Sequence, residues 1–220
     1  MVVEVFEAEV GRLVGDDAKL EKLADGFVFT EGPVWDFRAG RLYFSDIPAD
    51  TLYRYSPGEG TEVYRRPSNF SNGLTIDLEG RLVACEHRTR RVTREEDGAP
   101  AVVVERYQEL RLNAPNDVVA ARDGSLVFTD PPYGLGEGFG GPAHQELPFR
   151  GVYRVAAGSQ PELLADDFQG PNGLALSPNE TVLYVDDTEQ GHIRRFGVAE
   201  GWRLTGGEVL VELRGEGEGV

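Results

Sequence analysis

The sequence predicts an all-β propeller, and three observations point there. Short β-branched and aromatic runs recur along the chain, and turn residues bound them. The runs return at intervals of about 44 residues, the period of a four-stranded blade. A polar residue precedes each run at a nearly constant offset. In chain order the runs are Arg41-Leu-Tyr-Phe-Ser45, Arg81-Leu-Val-Ala84, Ser125-Leu-Val-Phe-Thr129 and Val182-Leu-Tyr-Val185. Each has the length and composition of a buried strand. Pro57-Gly58, Glu79-Gly80, Asp97-Gly98 and Asp123-Gly124 supply the turns between strands. Helical periodicity is confined to residues 16–23, where one short helical turn is expected.

The spacing defines the units. Leu82 follows Leu42 by 40 residues, Leu126 follows Leu82 by 44, and Val182 follows Leu126 by 56. The long interval contains the glycine- and proline-rich segment 134–148, read as an inserted loop. Its stretch 134–141 is expected to form a flexible cover over the channel mouth, where it would set substrate size.

Composition bounds the function. The chain has 220 residues, 40% of them hydrophobic and 10% aromatic, enough for a sizeable core. Cys85 is the only cysteine, which excludes an intramolecular disulfide and a multi-cysteine zinc site. Its place inside a strand reads as a small buried residue rather than a nucleophile. With 22 Lys+Arg against 38 Asp+Glu the net charge is −16, which disfavours nucleic acid and anionic membranes as partners. No apolar run approaches the ~20 residues of a membrane span. Residues 1–9 are acidic where a signal peptide is basic and then apolar, so the cytoplasm is the expected compartment.

The polar residues ahead of the strands carry the chemistry. Glu31, Asn72, Asn116 and Asn172 precede Leu42, Leu82, Leu126 and Val182 by 11, 10, 10 and 10 residues. Near-equal offsets mean equivalent positions at the start of each blade's innermost strand. Such positions converge on the propeller axis. One carboxylate and up to three carboxamide oxygens there would suit a hard divalent cation, Ca²⁺ above all, with Zn²⁺, Mg²⁺ or Mn²⁺ as alternatives. The competing reading is that each Asn caps a turn. A second array, Asp46, Glu86, Asp130 and Asp187, ends the second strands, where carboxylates accept hydrogen bonds from the amides of the following turns.

Longer motifs accompany this register: Phe29-Thr-Glu-Gly-Pro-Val-Trp35, Ala84-Cys-Glu-His87, Arg111-Leu-Asn-Ala-Pro-Asn-Asp117, Phe128-Thr-Asp-Pro-Pro-Tyr-Gly134, Gly151-Val-Tyr-Arg154 and Gly170-Pro-Asn-Gly-Leu-Ala-Leu-Ser-Pro178. Through them the chain resembles the gluconolactonase/regucalcin (senescence marker protein) family, in particular its bacterial gluconolactonase-like branch. The resemblance implies a six-bladed propeller that hydrolyses lactones or related esters around one axial divalent cation. By it, Glu31 and Asn172 are metal ligands and Asn116 approaches metal or substrate; the family supports Asn72 less as a metal ligand, and Asn72 is assigned with Asn116 to substrate binding. The family's further metal-binding aspartate, its proposed general base, opens a fifth blade. At about 44 residues per blade, residues 1–220 supply one propeller domain of four blades and the start of a fifth, near Glu216, so that aspartate is expected beyond Val220. Asp117 is the nearest replacement as base.

Other chemistries find less support. No serine sits in a Gly-x-Ser-x-Gly elbow, and His87, His144 and His192 lack zinc-type spacing and read as surface or rim residues. The glycine-rich stretch 134–141 follows no strand–helix pattern of a phosphate loop. Two alternatives to a lactonase stay open: a propeller that binds calcium or a ligand without turnover, and an organophosphate or aryl-ester hydrolase on the same site.

Overall fold

The computed structural model describes residues 11–13, 15 and 18–213 of the chain. Four antiparallel four-stranded sheets follow one another, each ordered as its strands occur in sequence. The first blade is β1 (Thr30–Asp36), β2 (Arg41–Asp46), β3 (Thr51–Ser56) and β4 (Gly60–Arg65). The second is β5 (Ser71–Ile76), β6 (Leu82–Glu86), β7 (Arg91–Glu96) and β8 (Ala99–Val104). A two-stranded hairpin, β9 (Arg106–Tyr107) and β10 (Leu110–Arg111), leads to the third blade, β11 (Val118–Ala120), β12 (Leu126–Asp130), β13 (Gly151–Val155) and β14 (Glu162–Ala165). The fourth is β15 (Pro171–Leu176), β16 (Val182–Asp187), β17 (His192–Val198) and β18 (Leu204–Glu212). Each sequence-predicted run forms the second strand of a blade. The expected helical turn does not form over residues 18–23, and Asp16 and Asp17 lie outside the described residues. The start of a fifth blade also lies outside them.

Alternation along the strands explains the stacking of the blades. In β12, Leu126 and Phe128 face the second blade's Val83, Cys85 and Val92, while Val127 faces the fourth blade's Leu183 and Val185. Tyr43 and Leu52 of the first blade meet Leu74, Leu82 and Ala84 of the second. Each fully buried side chain of this size contributes about 1.5–3 kcal/mol, so the interfaces between blades hold the arrangement. Cys85 is buried as expected, and burial pushes its thiol up. The turn Asp97-Gly98 joins β7 to β8 with φ of 52° and 78°, the two left-handed residues that a tight hairpin requires.

Candidate active site

Three of the four inner strands share one irregularity. Pairing with the second strand slips between Glu31 and Val34, between Ser71 and Leu74, and between Pro171 and Leu174. These bulges sit where Glu31, Asn72 and Asn172 stand, and a bulge re-aims the side chain it carries. Glycine follows each of the three. A Cβ on Gly32 would collide with the Asn72 carbonyl, and one on Gly73 with Asp117 and the Asn116 carbonyl. The backbones of neighbouring blades therefore touch at the axis.

All four register residues line one cavity of about 230 Å³, together with Gly32, Gly73, Asp117, Gly173 and Asp186. They also line an adjoining space of about 340 Å³, walled by Phe29, Ile47, His87, Tyr133, Phe139 and Thr188. Glu31, Asn72, Asn116 and Asn172 thus form the partition between a polar channel and an aromatic-walled mouth. A larger cavity of about 400 Å³, between the first blade and the segment that precedes it, includes only Glu31 of the four and lacks convergent polar groups from other blades.

Among the described residues no three His, Cys, Asp or Glu side chains gather to hold a metal. The four register residues offer one carboxylate and three carboxamides instead, a donor set suited to a hard cation, and the carboxylates of Asp117 and Asp186 line the same cavity. Hydrogen bonds orient two of these amides. Asn172 Nδ2 donates to Thr188 Oγ1 at 3.1 Å, and Asn72 Nδ2 lies 3.4 Å from His87 Nε2. Each carboxamide oxygen is then the remaining donor atom for a ligand. Among the described residues, Glu31 Oε2 accepts the Gly32 amide, at 3.2 Å. Neither cavity is lined by Lys or Arg. The residues fit a divalent cation.

Asp117 occupies the position that glycine fills in the other blades. Its Oδ1 accepts the Val118 amide at 2.9 Å, and its Oδ2 accepts the Leu174 amide of the fourth blade at 3.2 Å. Burial raises its pKa to about 6, against the pull of those amides and with help from the Glu31 charge. Asp186 is the residue that sequence reasoning missed. Burial raises its pKa to about 7, and the charges of Asp117 and Asp187 act in the same direction. The signal was its register: it immediately precedes Asp187, as Ser45, Cys85 and Thr129 precede Asp46, Glu86 and Asp130.

The second array is structural, although its partners differ from those expected. Asp46 accepts the amides of Val28 and Phe29, Asp130 that of Asn113, and Asp187 those of Gln169 and Gly170. These amides precede the inner strand of the same blade rather than following the carboxylate. Glu86 instead gathers the side chains of Asn69, Thr89, Arg91 and Thr93.

Two further expectations need correction. His87 is 1% exposed, not a rim residue, and burial lowers its pKa to about 4. The cover 134–141 is anchored rather than loose: the Phe139 carbonyl lies 2.9 Å from His87 Nδ1, the Gly141 amide donates to the Gly136 carbonyl at 3.0 Å, and Leu135 is buried. His144 is exposed and His192 half-buried, both away from the axis cavities.

No helix among the described residues is long and apolar enough to cross a membrane. A gluconolactonase of Zymomonas mobilis is 30% identical over 200 residues, 84% of this chain and 56% of the relative. A pentonolactonase of Haloferax volcanii is 28% identical over 174 residues, 77% of this chain and 53% of the relative. The chain therefore spans about half the length of these two proteins. The structure of a gluconolactonase from Xanthomonas campestris superposes with a TM-score of 0.86 at 38% identity, covering 91% of this chain and 68% of that one. The family model described as SMP-30/Gluconolactonase/LRE-like region matches residues 29–219, which takes in all four blades and every axial residue. By that match, the chain belongs to the SMP-30/gluconolactonase/LRE-like family.

Proposed function

We propose that the chain carries a metal-dependent lactonase site that opens a sugar lactone to its acid around one axial divalent cation, Ca²⁺ first among the candidates. The convergence of Glu31, Asn72, Asn116 and Asn172 on one cavity carries this reading. Relatives named gluconolactonase and pentonolactonase support the substrate class.

Glu31, Asn116 and Asn172 would hold the cation, which when bound supplies Lewis-acid polarisation of the lactone carbonyl. Asn72 and Asn116 offer carboxamides to the substrate's oxygens. Asp117 is the proton acceptor. Two backbone amides fix its carboxylate, and burial raises its proton affinity toward that of a working base. The oxygen of the attacking water bonds to the carbonyl carbon, and its proton passes to Asp117. The ring C–O bond then breaks, and Asp117 returns the proton to the departing alkoxide. Phe29, Tyr133 and Phe139 wall the mouth and limit the water that reaches this chemistry.

The test is hydrolysis of glucono- and pentonolactones by the purified chain after chelation and after Ca²⁺, Zn²⁺, Mg²⁺ or Mn²⁺ is restored. Aryl and organophosphate esters serve as comparison substrates. Cation-dependent lactone opening supports the reading. Cation uptake without turnover would establish the binding protein instead.

A further inference from the structure

His87 stands between the cover and the axis. Its Nδ1 lies 2.9 Å from the carbonyl oxygen of Phe139, and its Nε2 lies 3.4 Å from Asn72 Nδ2. A carbonyl only accepts, so Nδ1 carries the ring proton. Nε2 of the neutral ring is then an acceptor, and the Asn72 group facing it must be the NH₂. The cover grips the same ring. A Cβ on Gly140 would lie 2.8 Å from His87 Cβ, and one on Gly134 would collide with the imidazole, so both glycines are close-approach positions. The Phe139 ring packs edge-on against Phe29 at 5.7 Å, closing the aromatic wall above the axial residues.

We infer that His87 is a positioning residue: anchored by the Phe139 carbonyl of the cover, it holds the Asn72 amide so that the carboxamide oxygen serves the axial ligand. The docked cover and the axial site are thereby one unit. Reversing the Asn72 carboxamide would set its oxygen against the Nε2 lone pair and present NH₂ to a cation or to an oxygen it polarises. Ring orientation by a partner on the far nitrogen is the way outer groups tune ligands, typically at ten- to a hundredfold in affinity.

The functional consequence rests on the lactonase reading, whereas the tautomer does not, so the two are tested apart. A ¹H–¹⁵N spectrum of the imidazoles in the unmodified chain should show His87 protonated at Nδ1 and bare at Nε2. The opposite tautomer would overturn the inference whether or not the chain hydrolyses lactones. His87→Asn keeps a donor at the Nδ1 position for Phe139 and loses the acceptor for Asn72. His87→Gln places an oxygen near the Nε2 position and restores that acceptor. The Kd for Ca²⁺ or the KM for gluconolactone should rise about tenfold in His87→Asn and return toward the parent value in His87→Gln. Both constants unchanged in a folded His87→Asn variant would leave His87 a packing residue only. If the unmodified chain neither binds Ca²⁺ nor opens the lactone, the lactonase reading fails and the tautomer decides the His87 assignment.

Discussion

Thr129 Oγ1 donates to the carbonyl of Asn172 at 2.7 Å, tying the second strand of the third blade to the axial residue of the fourth. The same oxygen accepts the Asp117 amide at 3.1 Å. Ser45 makes the matching bond two interfaces earlier, donating to the carbonyl of Asn72 at 2.8 Å. Cys85 stands at the equivalent position of the second blade, and there the Gly73 amide reaches the Asn116 carbonyl at 2.8 Å instead. The axial residues are thus held through their backbones by the preceding blade, which leaves their side chains for a ligand.

Thr129→Val should therefore cost more than its small change in shape suggests. The hydroxyl is fully buried, and its loss strands the Asn172 carbonyl and the Asp117 amide together. An unsatisfied buried group costs about 1–3 kcal/mol, so a destabilisation in that range is expected by denaturant unfolding. Thr129→Ser should recover most of it. A Val variant as stable as the parent would show that these bonds contribute nothing.

Gly73→Ala tests the close approach at the axis. The new methyl group meets Asp117 and the Asn116 carbonyl, which are backbone or buried atoms with little room to yield. Overpacking of this kind costs about 1–3 kcal/mol. It should also widen the axial cavity between the second and third blades, weakening cation binding together with stability. Gly98→Ala is the control, since nothing lies within 4 Å of a Cβ there and only its φ of 78° is strained. It should lose stability without losing cation affinity.

The blades were legible because each buried strand is a short apolar run between turn residues, and the axial ring because a nearly constant offset survives in all four units. The mouth was not. Phe29, His87, Tyr133 and Phe139 belong to connections that share no period, and only the folded chain brings them to one wall. His87 looked like a rim histidine because the burial that lowers its pKa comes from an inserted loop about fifty residues later. Asp186 escaped notice because Ser45, Cys85 and Thr129 fill its register elsewhere, and none of them is ionised. The bulges were hidden too, since a slipped register leaves no mark on composition.

Asp130 provides a test by pH. Burial raises its pKa from the ordinary 3.8 to about 8, against the Asn113 and Ala114 amides and the Arg90 charge. The folded state thus holds a proton that the unfolded chain has released, across the interval from about 4 to about 8. Stability from this group is present at low pH and is lost as pH rises through that window. Asp130→Asn keeps an oxygen for the Asn113 amide and cannot ionise. The stability of the variant relative to the parent should therefore improve between pH 5 and pH 8, by about 1.4 kcal/mol or more, the worth of one pKa unit. Parallel melting curves across that range would mean that Asp130 is already ionised in the folded protein.

If the axis holds a cation as proposed, Glu31 is its decisive residue. It is the one carboxylate among the four register positions, and it lines both the polar channel and the aromatic-walled mouth. Carboxamides lend dipoles to a bound cation, whereas Glu31 lends a full charge, and hard-cation affinity follows ligand charge. Glu31→Gln preserves the size of the side chain and an oxygen able to accept the Gly32 amide, so the bulge at β1 should persist. Cation affinity should fall at least about tenfold, or 1.4 kcal/mol. Lactone opening should then be lost at limiting Ca²⁺ and partly recovered at high Ca²⁺. A residue that only caps its own bulge predicts the reverse pattern, a lowered melting temperature with affinity unchanged. Calorimetric titration of Ca²⁺ and Zn²⁺ into the two proteins, beside their melting curves, separates the outcomes. Equal affinities would remove Glu31 from the ligand set and, with it, the only charged donor that the axial ring supplies.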